Sequence, residues 1–198
     1  MTTRLSRPDQ VERNRGMVLD AARSVFLRQG YGGASVDAIA EEAGFSKGVV
    51  YSQFAGKADL FLALLDQRIS ERAEENDRLV AQHGGLAGLW ALLQTNSRHS
   101  EQGPEWARLL IEFRLVAARD PVLSRRYASL HERTLDRLAA TLGSALARDG
   151  LTLSLPVRTV AQLVLAIDSG AVLERIAEPA ALPPELVEDV LGHLVRPR

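Results

Sequence analysis

Apolar residues recur at intervals of three and four along almost the whole chain. Glycine, proline and polar clusters cut that pattern into segments, which predicts helices and no sheet. The first predicted helix covers 10–29, with Val18, Ala22, Val25 and Phe26 on one face and Gly30 as its stop. Short helices follow over 36–43 and 47–54, then longer ones over 57–81, 86–96, 105–119 and 121–148. The alternating leucines of 149–156 imitate a strand, but the segment is too isolated to pair and reads as a loop. An apolar helix over 157–177, a Pro-rich turn and a last helix over 185–195 bring the total to nine. The expected fold is therefore all-α. With the short helices before residue 57 and the long ones after it, the pattern predicts a three-helix N-terminal domain over 1–56 and a helical bundle over 57–198.

Composition narrows the function classes. With 198 residues, 46% hydrophobic and 25% charged, the chain is ordinary globular material, and with no cysteine it can hold no disulfide, thiolate metal site or cysteine nucleophile. The longest strongly apolar stretch, 160–172, is interrupted by Gln162, Asp168 and Ser169 and falls short of the ~20 residues a bilayer crossing needs. The first fifteen residues lack the apolar segment of a secretory signal, so a cytoplasmic protein with no targeting segment is expected. The net charge of -1 hides an uneven distribution, because no acidic residue occurs from Ala43 to Lys57. Both lysines of the chain, Lys47 and Lys57, fall in that stretch and bracket a short segment of it.

The segment from Ser35 to Phe54 carries the punctuation of two helices joined by a tight turn. Ser35 and Ser46 suit the two N-caps, and Gly44 suits the left-handed residue between the helices. Phe45 and Val50 occupy the positions of a hydrophobic staple. Val50 and Phe54 face inward, which leaves Lys47, Gly48, Tyr51 and Ser52 outward. A glycine on that face, where alanine would be more stable by about 0.5–1 kcal/mol, lets a partner approach the backbone. Lys47 and Tyr51 would flank such an approach in a DNA major groove, Val49 could pack on a thymine methyl, Gln53 could donate to a phosphate, and Ser35 and Ser46 stand at helix starts that attract phosphate. Lys57 opens its helix against the helix dipole, which favours an anionic partner.

Ser35, Ile39-Ala40, Ala43-Gly44, Ser46-Lys47-Gly48, Tyr51, Phe54 and Lys57-Ala-Asp-Leu60-Phe61 together resemble the DNA-binding signature of TetR-family transcriptional regulators. The resemblance implies backbone contacts from Tyr51 and Lys57 and base contacts from Lys47 to Val49. Val49 and Gln53 depart from the common pattern, which bears on the DNA sequence read. It further implies a homodimer on a palindromic double-stranded operator, and a C-terminal bundle with a two-helix dimer interface and an effector cavity. The interface candidates are Val160, Val164, Ile167, Gly170 and Ala171 on helix eight, with Leu186, Val190 and Leu194 on helix nine. The cavity candidates are Trp90, Leu93, Trp106, Leu110, Phe113, His131 and Thr134, with Glu112, Arg114 and Asp168 as further polar groups. A mostly apolar small molecule, acting on a repressor to release it from DNA, fits this set.

Catalysis and metal binding are not expected. The four histidines are dispersed, His131 and Glu132 are adjacent and so point to different helix faces, and no glycine-rich phosphate loop occurs. No cofactor and no membrane partner are expected. The alternative is a helical interaction protein without specific DNA binding.

Overall fold

The computed structural model describes residues 6–102 and 104–197, so the expectation that no targeting segment is present falls partly on residues outside it. Among the described residues there are nine helices: α1 (Arg7–Gly33), α2 (Val36–Glu42), α3 (Lys47–Tyr51), α4 (Lys57–His83), α5 (Gly85–Gln102), α6 (Pro104–Ala117), α7 (Pro121–Arg148), α8 (Val157–Ala177) and α9 (Pro184–Gly192). None is long and apolar enough to cross a membrane.

The boundaries of α1 and α3 move for local reasons. Helix α1 starts before residue 10 because Ser6 and Asp9 form a capping box, the Ser6 hydroxyl accepting from Asp9 N at 3.3 Å while Asp9 accepts from Ser6 N at 3.2 Å. At its other end Gly30 (φ 70, ψ 172) breaks the helix as expected, and one further turn follows to Gly33. Helix α3 closes at Tyr51, three residues early, and Gln53 and Phe54 both donate to Val50 O in a tight turn.

The segment read as a loop contains a strand. β1 (Leu151–Leu153) pairs antiparallel with β2 (Val195–Pro197), Leu151 opposite Pro197 and Leu153 opposite Val195. The expected last helix concealed the partner strand: α9 stops at Gly192, and the freed chain returns to β1, where Ser154 N donates to Leu194 O at 2.8 Å. Leu153 and Val195 lean on the aliphatic core, which gives this minimal pair its reason to form.

The chain divides into two compact units: residues up to 68 with 112–126, and 69–111 with 127 onward. The division falls after residue 68 rather than at 57 because the first turns of α4, which starts at Lys57, place Leu60, Phe61, Leu64 and Leu65 in buried positions of the first unit. That unit is built on four rings. Phe113 lies 4.3 Å from Phe61 and 5.1 Å from Tyr31, centroid to centroid, and Phe26 meets Phe61 edge-on at 5.3 Å. Ile39, Val50 and Phe54 are also buried, so α2 and α3 present their remaining faces outward. The second unit has an aliphatic core, including Leu92, Leu135, Leu142, Ala145 and Ala161.

Candidate nucleic-acid interface

Local sequence sets the shape of the α2–α3 pair. The Ser35 hydroxyl accepts from Ala38 N at 3.1 Å and caps α2, while Gly44 (φ 69) makes the left-handed turn after it. Phe45 N then closes the turn on Ala40 O at 2.9 Å. Ser46 holds the N-cap position of α3, but its side chain forms no cap bond; only its carbonyl takes part, accepting from Val49 N at 3.0 Å. The Ser46 hydroxyl, expected as a cap, is therefore not engaged in holding the helix.

The outward face carries the residues expected there. Lys47, Gly48, Tyr51 and Ser52 are exposed, Tyr51 by 55%, and Val49 is half-buried. A Cβ at Gly48 would meet nothing closer than Ser46 Oγ at 3.8 Å, so packing within the chain does not require glycine there. Lys47 Nζ pairs with Asp37 at 2.6 Å, with both side chains about three-fifths exposed. Such a pair contributes about 0–1 kcal/mol, so little opposes its exchange for a phosphate. The Ser52 hydroxyl donates to Val49 O at 2.7 Å. Gln53, expected to donate to a phosphate through its amide nitrogen, buries its Oε1 with no donor.

Lys57 is placed otherwise than its sequence position suggested. Its ammonium donates to Tyr31 O at 2.8 Å, Ala34 O at 3.0 Å and Gly32 O at 3.2 Å, and lies 4.8 Å from the Tyr31 ring centroid. An ammonium has three hydrogens, and three carbonyls take them. The apparent misfit of a cation at the start of α4 resolves here, because that cation sits at the negative end of α1. The side chain expected to contact a phosphate thus already has all three hydrogens on carbonyls of the chain itself.

Sequence reasoning missed three charged groups around this region. The Arg15 guanidinium lies 4.4 Å from the Phe54 ring centroid. Asp59 accepts from Ala55 N at 3.1 Å and pairs with Arg126. Burial alone would raise the Asp59 carboxyl, but the bonds from Arg126 and Ala55, with the charges of Arg126 and Arg15, outweigh it and hold the group below its ordinary range. The Arg28 and Ser24 hydrogen bonds lower Glu42 in the same direction, whereas burial raises Tyr31. A carboxyl lowered in the folded state contributes stability above its unfolded pKa and loses it as pH falls through the folded value. Acidification should therefore weaken the first unit, and Asp59→Asn should flatten that acid limb in thermal melts while costing about 1 kcal/mol at neutral pH. An unchanged acid limb would assign the sensitivity elsewhere. Short-range sequence signals exist only for the Asp59 bond to Ala55, four residues before it.

The expected effector residues are divided between the two units. Phe113 is fully buried in the ring cluster of the first unit and is core there. Glu112 accepts from Tyr31 N at 2.8 Å, in the same unit. In the second unit Trp90 is half-buried beside Gly192, His131 stacks on Tyr127 at 6.0 Å, and the Thr134 hydroxyl donates to Leu130 O at 3.0 Å. Trp106 and Leu110 are half-buried on α6. Leu93 lines a void of about 10 Å³ with Leu89, Leu142, Leu146, Leu153, Val160, Val164, Leu191 and Val195. That is room for about one water, and none of the other expected residues lines it.

The expected interface residues divide by burial. Val160 and Ala171 are buried and belong to the interior, and Val164 and Leu194 lean on the aliphatic core. Ile167 and Gly170 are half-buried, and a Cβ at Gly170 would meet open space. Leu186 and Val190 are exposed by 46% and 50%, and α8 adds Leu163, which helical spacing also placed on that side, with Leu173 and Ile176, which it left out. The exposed apolar residues of α8 are thus rotated away from the expected set, because its own core takes Val160, Ala161, Ala171 and Val172.

Residues 18–64 match the family described as bacterial regulatory proteins, tetR family, and residues 85–196 match the C-terminal region of BetI-type transcriptional repressors. The HTH-type transcriptional repressor AcnR of Corynebacterium diphtheriae is 30% identical over 127 residues, 64% of this chain and 62% of that one, so the chain matches less than two thirds of that relative's length. A TetR transcription regulator from Haloarcula marismortui has the same fold, with a TM-score of 0.76 at 19% identity over 93% of this chain and all of that one. The transcriptional regulator FadR from Bacillus subtilis, solved in complex with stearoyl-CoA, has a TM-score of 0.63 at 18% identity, covering 89% and 95% of the two chains. With family matches that follow the helix-turn-helix and most of the chain beyond it, this protein belongs to the TetR family of bacterial regulatory proteins.

Proposed function

We propose that this chain is a transcriptional repressor that binds an inverted repeat as a homodimer and is released by a mostly apolar small molecule. The observation that carries the DNA reading is the open outward face of α3, where Lys47, Gly48, Tyr51 and Ser52 stand exposed on a capped, buried scaffold. Lys47 and Tyr51 can reach phosphates or base edges while Gly48 lets the groove wall approach the backbone. Repressor action is supported by the name of the Corynebacterium diphtheriae relative.

Two-fold symmetry supports the operator form, since two identical readers one helical turn apart, about 34–36 Å, select an inverted repeat. An apolar effector is supported by the aliphatic lining of the second-unit void and by the stearoyl-CoA complex of the Bacillus subtilis neighbour. Such a molecule has to part the aliphatic cluster to enter. It lowers DNA affinity by no more than its differential affinity for the two states.

Selection of duplexes from a random library by the full chain tests the reading. Enriched sequences should share an inverted repeat, binding should weaken steeply with salt, and Lys47→Ala should shift the preferred bases. No enrichment over input would favour the helical interaction protein instead.

A further inference from the structure

The turn that joins α1 to α2 is gripped from both sides. Tyr31 N donates to Glu112 Oε2 at 2.8 Å, and Tyr31 O, Gly32 O and Ala34 O accept from Lys57 Nζ. Gly30 makes room for the first grip: a Cβ there would stand 2.8 Å from Glu112 Oε2, and its φ of 70 is unfavourable for any other residue. The next residue after the turn, Ser35, caps α2. The gripped residues therefore decide where α2 begins and in which direction it leaves.

We propose that Glu112 and Lys57 are positioning residues that clasp the Gly30–Ala34 turn and thereby set the orientation in which α2 and α3 meet DNA. This rests on the DNA reading above. Neither side chain touches DNA in this role. The charges suit their sites: an anion receives the backbone N–H that restarts the chain after the kink, and a cation satisfies carbonyls left open at a helix end. Without the clasp α2 and α3 still hold to the unit through Val36, Ile39 and Val50, so the fold survives while the reader's angle broadens.

A phosphate contact and a clasp give different signatures with the duplex that the wild-type chain selects. Losing a phosphate contact lowers the slope of log affinity against log salt by about 0.9, whereas losing a positioning group lowers affinity with the slope unchanged. Lys57→Met and Glu112→Ala should each weaken binding about tenfold, roughly 1.4 kcal/mol, at constant slope. Their double variant should lose less than the product of the two, since both act on one turn. Glu112→Gln keeps an acceptor for Tyr31 N and should recover most of the affinity. A slope reduced by about 0.9 in Lys57→Met, or full affinity in Glu112→Ala, overturns the clasp.

Amide hydrogen exchange supplies a readout that needs no DNA. Exchange at Tyr31, Ala38 and Ile39 should quicken in Lys57→Met and Glu112→Ala while Val25 and Phe26 in the body of α1 stay protected. Unchanged exchange at Tyr31 and Ala38 also overturns the clasp. If exchange quickens but the wild-type chain selects no duplex, the clasp of the turn stands and the DNA reading falls.

Discussion

Phe113→Ala should lower the stability of the first unit by about 3–5 kcal/mol, the range for truncating a fully buried phenylalanine. Phe113 is 0% exposed and touches two other rings of the cluster, so alanine leaves a cavity that Tyr31 and Phe61 cannot fill without abandoning their own edge contacts. At about 2–4 °C per kcal/mol for a chain of this length, the melting temperature falls by about 6–20 °C. Because Tyr31 also carries the backbone groups held by Glu112 and Lys57, the clasp loosens when the ring that supports Tyr31 edge-on is removed. Phe113→Leu keeps most of the volume and should cost less than half as much. A drop under about 2 °C in Phe113→Ala would remove Phe113 from the core, and a change in ligand affinity at undiminished stability would restore it to an effector cavity.

Most of what was legible in the fold has a local determinant, although the Ser6–Asp9 capping box was missed and the Ser46 side-chain cap does not form. Helical periodicity, the Ser35 cap, the left-handed Gly44 and the inward Val50 and Phe54 are each set within a few residues, and the structure shows them in place. Short antiparallel pairing between Leu151 and Pro197 was not legible, because the partner strand lies over forty residues away and begins at the last residue of a segment with helical spacing. Lys57 and Glu112 show the same limit for side chains. Sequence spacing gives the helix face a residue occupies, but the carbonyls 23–26 residues before Lys57 and the amide 81 residues before Glu112 become neighbours only through packing. A basic residue in an acid-free stretch read naturally as a DNA contact, and a carboxylate among aromatics as a ligand group. In both cases a backbone group of the chain itself is the partner. Helix eight failed differently: Val160 and Ala171 were rightly seen as apolar and wrongly turned outward, since a helix apolar on most sides offers no periodic signal to separate interior from interface.

Leu173→Glu should dissociate the dimer proposed above, and Val160→Glu should not. Leu173 is 50% exposed on α8 in the single chain, as is Ile176 at 62%, and α9 exposes Leu186 and Val190. A two-fold interface uses one patch twice, so a glutamate placed near its centre meets its own copy or an apolar surface that cannot solvate it. Standard interfaces bury about 1,200–2,000 Å² in total, and the truncation or charging of a central anchor costs about 2–4 kcal/mol or more, enough to raise a dimer dissociation constant by at least about thirtyfold. The folded single chain has no such objection, because Leu173 makes only half of its surface available to its own core. Circular dichroism and melting temperature should stay near wild type while sedimentation at micromolar concentration shifts from dimer to monomer, with specific DNA affinity falling in step. Val160 is 4% exposed, so glutamate there leaves a charge inside the aliphatic core and unfolds the second unit rather than separating two copies. If Leu173→Glu remains a dimer of unchanged affinity, the exposed stripe of α8 and α9 is not the interface. If the wild-type chain is itself a monomer that still reads an inverted repeat, the two readers associate only on DNA.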